Sequence, residues 1–533
     1  MTDSKTDSLE VKVYRTELTP VSFLYRTAYV LPDKVAVVHG ERRYTYRDLE
    51  QRVNRLASWL RANGLGKHDR VAFLCPNIPA LLEAHFAVPA AGGVLVAINT
   101  RLSSGEIQYI IEHSGSRYLF VDAELMGLVD SLTLGGIRVV RVDDSGTPDD
   151  PYERVLAAGT PEPVESWLED EEETISINYT SGTTGRPKGV MFTHRGSYLN
   201  AIGEVLETRM SFDSVYLWTL PMFHCNGWCF PWAVTAVAGT HVCLRRVDPE
   251  RIWQLFESER VTHYNGSPTV QVGVVNYPGA RRLEQGVTAT IAAAPPSPTV
   301  IGQLRRLNFR PIHVYGLTET YGPITVCEPH AEWDALSIED QSSLLARQGQ
   351  AYLVADLVRV VDEAMHDVPR DGATLGEVVM RGNNVMKGYF DDPDATERSF
   401  AGGWFHSGDI AVWHPDGYIE LRDRKKDVII SGGENISSIE VEQTIVRHPA
   451  VLECAVVAIP DDRWGERPKA FVTLKPGQTA TEQEIVDFCR EHLAHFKCPS
   501  AVQFGDLPKT STGKVQKVVL REKEWADQAK RIN

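Results

Sequence analysis

The sequence predicts an α/β protein: a large N-terminal domain of parallel-rich sheets flanked by helices, followed by a small α+β C-terminal domain. Three observations carry this. Short apolar runs alternate with helical stretches. Serine or threonine followed three residues later by glutamate marks helix starts. A charged, glycine-flanked connector changes the rhythm near residue 425.

Taken in order, "RVAFLC" (Arg70–Cys75) reads as a strand, a helical pattern starts near Ile78, and "GVLVAIN" (Gly93–Asn99) is the next strand. Ser103 and Glu106 have capping-box spacing, Ile107, Ile110 and Ile111 share one helical face, and Gly115 can end that helix before "RYLFVD". Strand–helix–strand units of this kind form a mostly parallel sheet. Beyond "LRDRKKDVIISGGENISS", Ser437 and Glu440 form another box, with a helix to about Arg447 and the strand "VLECAVVAIPD". Thr481 and Glu484 open a further helix with Ile485, Phe488, Cys489 and Leu493 on its inner face. The expected domains are therefore 1–425 and 426–533.

Composition narrows the function. The 533 residues are 43% hydrophobic and 24% charged, as in a soluble globular protein of several domains. A net charge of −16 disfavours nucleic acid and anionic membranes as partners, so any bound anion needs a local device. The start "MTDSKTDSLEVKV" lacks the basic and apolar regions of a secretory signal, and no apolar run is long enough to span a bilayer. The eight cysteines suggest no disulfide framework, and a reduced, cytoplasmic enzyme is expected.

The local device is "YTSGTTGRPKGV" (Tyr179–Val190), with three glycines, four serine or threonine hydroxyls and two cations. It is not a Walker A loop: glycine follows Lys188 where serine or threonine is required, and strand-like segments, "TISINY" and "VMFTH", lie on both sides. A loop between two strands can still form an anion nest from N–H groups, hydroxyls and one lysine.

"VYGLTET" (Val314–Thr320), "GWFHSGDIA" (Gly403–Ala411), "RDRKKDVIISGGENISSIEVE" (Arg422–Glu442) and "LPKTSTGKVQK" (Leu507–Lys517) follow this loop. The five motifs together resemble the adenylate-forming, AMP-binding superfamily of acyl-CoA synthetases, carrier-protein adenylation domains and beetle luciferases. "LPMFHCNGWCFPW" and "GNNVMKGYFDDPDAT" are most similar to acyl-CoA synthetases for short- and medium-chain or aromatic acids. The resemblance implies a small C-terminal domain that moves, and a two-step reaction with ATP, Mg²⁺ and coenzyme A. A carboxylate attacks the α-phosphate to give acyl-AMP and pyrophosphate; a thiol then displaces AMP.

Carried onto this chain, the resemblance gives Lys514, Glu319, His224 and Thr318 catalytic roles. Thr180, Ser181, Gly182, Thr183, Thr184 and Lys188 would cradle phosphates, with Glu319 and Thr184 at Mg²⁺ and Thr318 at the α-phosphate. Ala293, Ala294, Pro295, Tyr315 and Gly316 would seat the nucleotide base, with Tyr315 stacked on adenine. Asp409, beside Arg424, would take the ribose hydroxyls. His224, Trp228, Gly266, Ala292, Ala293 and Gly316 would line the acid pocket. Lys426 matches the hinge about which the small domain turns, withdrawing Lys514 and bringing the "SGGEN" loop to the site.

The family commonly has glycines where this chain has "IAAAPPSP"; with Trp228 nearby, the added methyls favour a compact acid. Arg463, Arg467 and Lys469 are candidates for the coenzyme A phosphates. Cys225, Cys229, His241 and Cys243 are close in sequence but fit no standard zinc spacing. Two other readings stay open: a ligase delivering the adenylate to a separate carrier protein or another nucleophile, and a nucleotide-binding protein without catalysis, against which Lys514 and Glu319 argue. Many family members are homodimers, but no sequence feature shows this here.

Overall fold

The alternating elements assemble into two large sheets, seen in a computed structural model that describes residues 15–180, 186–424, 427–431, 434–461, 463–510 and 514–525. The seven-stranded sheet runs in the order Gly388–Tyr389, Gly189–Thr193, Thr174–Tyr179, Val94–Ala97, Arg70–Leu74, Ser116–Asp122, Arg138–Val142. From Thr174–Tyr179 onward its pairs are parallel, and the two pairs at the other edge are antiparallel. The nine-stranded sheet has a parallel centre containing Val215–Leu217, His263–Gly266, Val287–Ile291 and Phe309–Leu317, and antiparallel edges. Phe73 and Phe192 of the first sheet share one apolar cluster with Trp218 and Ile312 of the second, so the main core lies between them. Burying each large apolar side chain there contributes about 1.5–3 kcal/mol relative to exposure.

Helix starts follow the local chemistry. Ser103 and Glu106 form a reciprocal capping box for helix Ser104–Ser114, which ends on Gly115 at φ 60°. Thr481 and Glu484 do the same for Glu482–His492. The box expected at Ser437 is only half made. The Ser437 hydroxyl accepts from Glu440 N at 3.2 Å, while both Glu440 carboxylate oxygens accept from Lys497 Nζ at 2.8 Å. On the third helix Val486 is buried, whereas Phe488 is half-buried against His448.

A four-stranded antiparallel sheet (Arg359–Val361, Leu375–Met380, Phe405–Trp413, Ile419–Arg424), which the strand–helix rhythm did not announce, precedes the connector. After it, Val451–Asp461 and Gly465–Leu474 pair antiparallel and Ala501–Phe504 joins in parallel. Ile429, Val441, Val456, Val472 and Ile485 make a separate core there. No helix among the described residues is long and apolar enough to cross a membrane.

One close approach fixes the crevice edge. Strand Phe309–Leu317 folds back on Gly322–Val326, and a Cβ on Gly316 would stand 1.8 Å from the Gly322 carbonyl oxygen. Gly316→Ala is therefore expected to destabilise the protein by about 3 kcal/mol or more, read as a lowered unfolding midpoint.

Candidate active site

The site is built at the carboxyl ends of the four parallel strands, where open α/β sheets leave a crevice. Tyr264 pairs with Leu217, Gly266 with Ile291, and Ile291 with His313, so the segments that follow these strands emerge side by side. They carry Leu220–His224, Gly266, Ala292–Pro295 and Tyr315–Glu319.

Tyr315 lies near the carboxyl end of strand Phe309–Leu317. Its hydroxyl donates to Asp409 Oδ2 at 2.6 Å, and Arg424 Nε lies 3.1 Å from Asp409 Oδ1. Asp409 and Arg424 are register partners in the antiparallel sheet, so adjacent strands present the two charges together. Asp409 is only 3% exposed, and a carboxylate so buried requires this pairing. The neighbouring Asp409 charge holds the Arg424 pKa above its ordinary value.

Lys514, beyond the C-terminal sheet in sequence, interacts electrostatically with this pair. Its N–H donates to Thr510 Oγ1 at 3.1 Å and its carbonyl accepts from Thr510 N at 2.7 Å. The residue as a whole is exposed, yet the Arg424 charge, and secondarily burial of the ammonium, lower its pKa to about 8; Asp409 and Asp427 oppose the shift. His224 also feels Lys514: burial, then that charge, lower its pKa to about 4, so it is neutral near pH 7.

The phosphate end gathers on Tyr389. Thr180 N donates to the Lys188 carbonyl at 3.0 Å, closing the mouth of the loop between two antiparallel strands. Lys188 Nζ lies 4.5 Å from the centre of the Tyr389 ring, and the Tyr389 hydroxyl donates to Glu319 Oε1 at 2.9 Å. Tyr389 lies in the "GNNVMKGYFDDPDAT" stretch, but no role was read for it. Only its aromatic character inside that stretch could have signalled one. Ser181, Gly182, Thr183, Thr184 and Lys426 lie outside the described residues.

The acid side is tightly filled. The Cys225 thiol donates to Thr318 Oγ1 at 3.4 Å and is 3.8 Å from His224 Nε2; burial raises its pKa to about 12. Trp228 is buried, and a Cβ on Gly322 would meet its indole at 2.6 Å. A Cβ on Gly266 would meet Val270 at 2.9 Å. Ala292 is buried, Ala294 and Pro295 are half-buried, and Ala293 holds a left-handed backbone at φ 75°, where glycine would be unstrained. Of the coenzyme A candidates, Lys469 is committed to Glu524 at 2.7 Å, whereas Arg463 is exposed over the Trp464 ring.

In chemical terms, the site offers ammonium and guanidinium groups to oxyanions and a hard carboxylate oxygen at Glu319 suited to a magnesium ion.

Comparison with known proteins places the chain in a family. The family model described as AMP-binding enzyme matches residues 24–390, and that of the AMP-binding enzyme C-terminal domain matches residues 440–514. A peroxisomal acetate/butyrate–CoA ligase of Arabidopsis thaliana is 46% identical, over 95% of each chain. A 4-hydroxybutyrate–CoA ligase of Metallosphaera sedula is also 46% identical, over 96% of this chain and 95% of its own. The ATP-bound crystal structure of MatB from Rhodopseudomonas palustris superposes with a TM-score of 0.86 at 27% identity, covering 97% of this chain and 100% of its own.

The Lys514 pKa gives a test. An ammonium is the charged form, so catalysis that needs it is lost as pH rises through about 8. The pH profile of kcat/KM for ATP, which reports the free enzyme, is expected to bend downward near pH 8. In Arg424→Gln, removing the neighbouring charge should move that limb to higher pH.

Proposed function

The chain belongs to the AMP-binding enzyme family, and from this premise we propose that it activates a compact carboxylic acid with ATP and passes it to coenzyme A. In the first step a carboxylate oxygen of the acid bonds to the α-phosphorus of ATP and the bond to pyrophosphate breaks. In the second the thiol of coenzyme A attacks the acyl carbonyl, and AMP leaves. The observation that carries the reading is the buried Asp409–Arg424 pair with the Tyr315 hydroxyl on it, which interacts electrostatically with Lys514.

Each residue has a physical task in this proposal. Lys514 neutralises charge that develops between the acid carboxylate and the α-phosphate. Asp409 takes the ribose hydroxyls, Arg424 pairs with Asp409 and orients it, and Tyr315 offers its ring to the base. Thr318 faces the α-phosphate, and Lys188 with the loop Thr180–Thr184 takes the outer phosphates. Mg²⁺, when bound at Glu319 and Thr184, neutralises phosphate charge. Tyr389 fixes the Glu319 carboxylate. His224, neutral near pH 7, and Trp228 wall the acid. Residues 1–425 form the large domain and 426–533 the small one, which turns at Lys426 between the two steps.

The acid is short in this reading. Trp228 seated on Gly322 and the three alanines at 292–294 restrict the recess, and the two relatives named above carry short acids in their names. Those names also favour coenzyme A over a carrier protein as acceptor. The thiols Cys75, Cys225, Cys229, Cys243, Cys327, Cys454, Cys489 and Cys498 are all free, which supports a reducing compartment and a cytoplasmic location, although the Arabidopsis relative is named peroxisomal.

ATP–pyrophosphate exchange across acetate to palmitate, each repeated with coenzyme A, tests the reading. Exchange with acetate to hexanoate and coenzyme A-dependent AMP release are expected. Palmitate as best substrate would overturn the compact pocket. Lys514→Ala should lower exchange by at least about 10²-fold, and Trp228→Val should move the optimum to longer acids.

A further inference from the structure

The segment after His224 coils in the hand that L-residues avoid. Cys225, Asn226, Gly227, Trp228 and Cys229 have φ of 47°, 41°, 53°, 53° and 64° in succession. Gly227 N donates to the His224 carbonyl at 2.8 Å and Cys229 N to the Asn226 carbonyl at 3.1 Å, closing a left-handed turn. Such backbone costs about 1–2 kcal/mol for each residue that has a Cβ, and Gly227 is the sole residue of the five without one. Something outside the turn must hold it.

That restraint is a buried polar network centred on Asn226, which is 0% exposed. Asn226 N donates to Asn178 Oδ1 at 2.9 Å. Its Oδ1 accepts from Ser176 Oγ and from Asn178 Nδ2. Its Nδ2 donates to His85 Nε2 at 3.1 Å, because His85 Nδ1 donates to the Leu81 carbonyl at 2.7 Å. Burial lowers the His85 pKa to about 4, so this ring stays neutral and keeps that tautomer near pH 7.

The partners matter as much as the bonds. Ser176 and Asn178 belong to the strand Thr174–Tyr179 that runs into Thr180 and the phosphate loop. On the other side, Asn226 sits between Cys225, whose thiol touches Thr318, and Trp228, which closes on Gly322. A single side chain therefore joins the strand that leads to the phosphates to the turn that walls the acid.

We propose that Asn226 is a positioning residue that sets the register between the phosphate-loop strand and the left-handed turn, and thereby the placement of the acid against the α-phosphate. It acts through His224, Cys225 and Trp228 and touches neither substrate. The inference rests on the acid-activating reading above. It assigns acid affinity and chain-length selectivity to a group outside the pocket.

Three variants separate hydrogen bonding from backbone strain. Asn226→Gly accepts the left-handed backbone without cost and removes only the side-chain bonds. Asn226→Ala removes the bonds and adds strain. Asn226→Asp keeps an acceptor toward Ser176 but cannot donate to His85. ATP–pyrophosphate exchange would be measured with KM for acid and for ATP, kcat, the acetate-to-octanoate profile and the thermal midpoint. Asn226→Gly is expected to raise the acid KM about 10- to 100-fold and to flatten the chain-length profile, with the ATP KM changed less than about 2-fold.

A residue that only stabilises the fold would lower the thermal midpoint and the active fraction but leave KM and selectivity alone. Folded Asn226→Gly with wild-type acid KM and profile overturns the proposal. If the Asn226 variants do not fold, Asn178→Ala breaks the network from the strand side and must produce the same acid-selective defect. Absence of exchange by the wild-type protein with every acid would instead overturn the acid-activating reading, and this proposal with it.

Discussion

Asp409 and Arg424 form the contact on which the rest of the site hangs. A carboxylate taken out of water needs a matched cation and hydrogen bonds to offset its lost hydration. Here they come from Arg424, opposite it in the antiparallel sheet, and from Tyr315 at the end of a parallel strand in another sheet. The requirement to satisfy one buried charge thus joins two sheets of different construction. The same guanidinium then presses on Lys514 and weakens its hold on its proton. Fold contact, buried carboxylate and lysine acidity share one physical origin.

The overall negative charge sharpens the point. A protein with net charge −16 repels nucleotides at long range, so recognition depends on cations gathered at short range. Lys188, Arg424 and Lys514 come from separate parts of the chain. Each is supported by what it touches: an aromatic ring, a buried carboxylate, a hydrogen-bonded turn.

Much of this was legible in the sequence, for physical reasons that differ by residue. A short apolar run marked Arg70–Leu74, alternation marked Thr174–Tyr179, and serine–glutamate spacing marked the start of Ser104–Ser114, because these signals are local. The half-made box at Ser437 shows the limit: spacing offers Glu440 to the cap, but Lys497, distant in sequence, takes it. Lys469, a candidate for the coenzyme A phosphates, is likewise paired with a residue distant in sequence, Glu524. The antiparallel sheet before the connector was missed since its strands are partly exposed and follow no strand–helix rhythm. The left-handed turn left almost no trace, because its cause lies in Ser176, Asn178 and His85 and not in its own residues.

The sequence separation of those bonds bears on how the protein comes to be folded. Asn226 meets Asn178 from 48 positions away and His85 from 141, while its own backbone preference opposes the turn. Loop closure must come before such contacts yield any stabilisation. By that argument the turn gains its restraint only once the strand of Asn178 and the helix of His85 have docked.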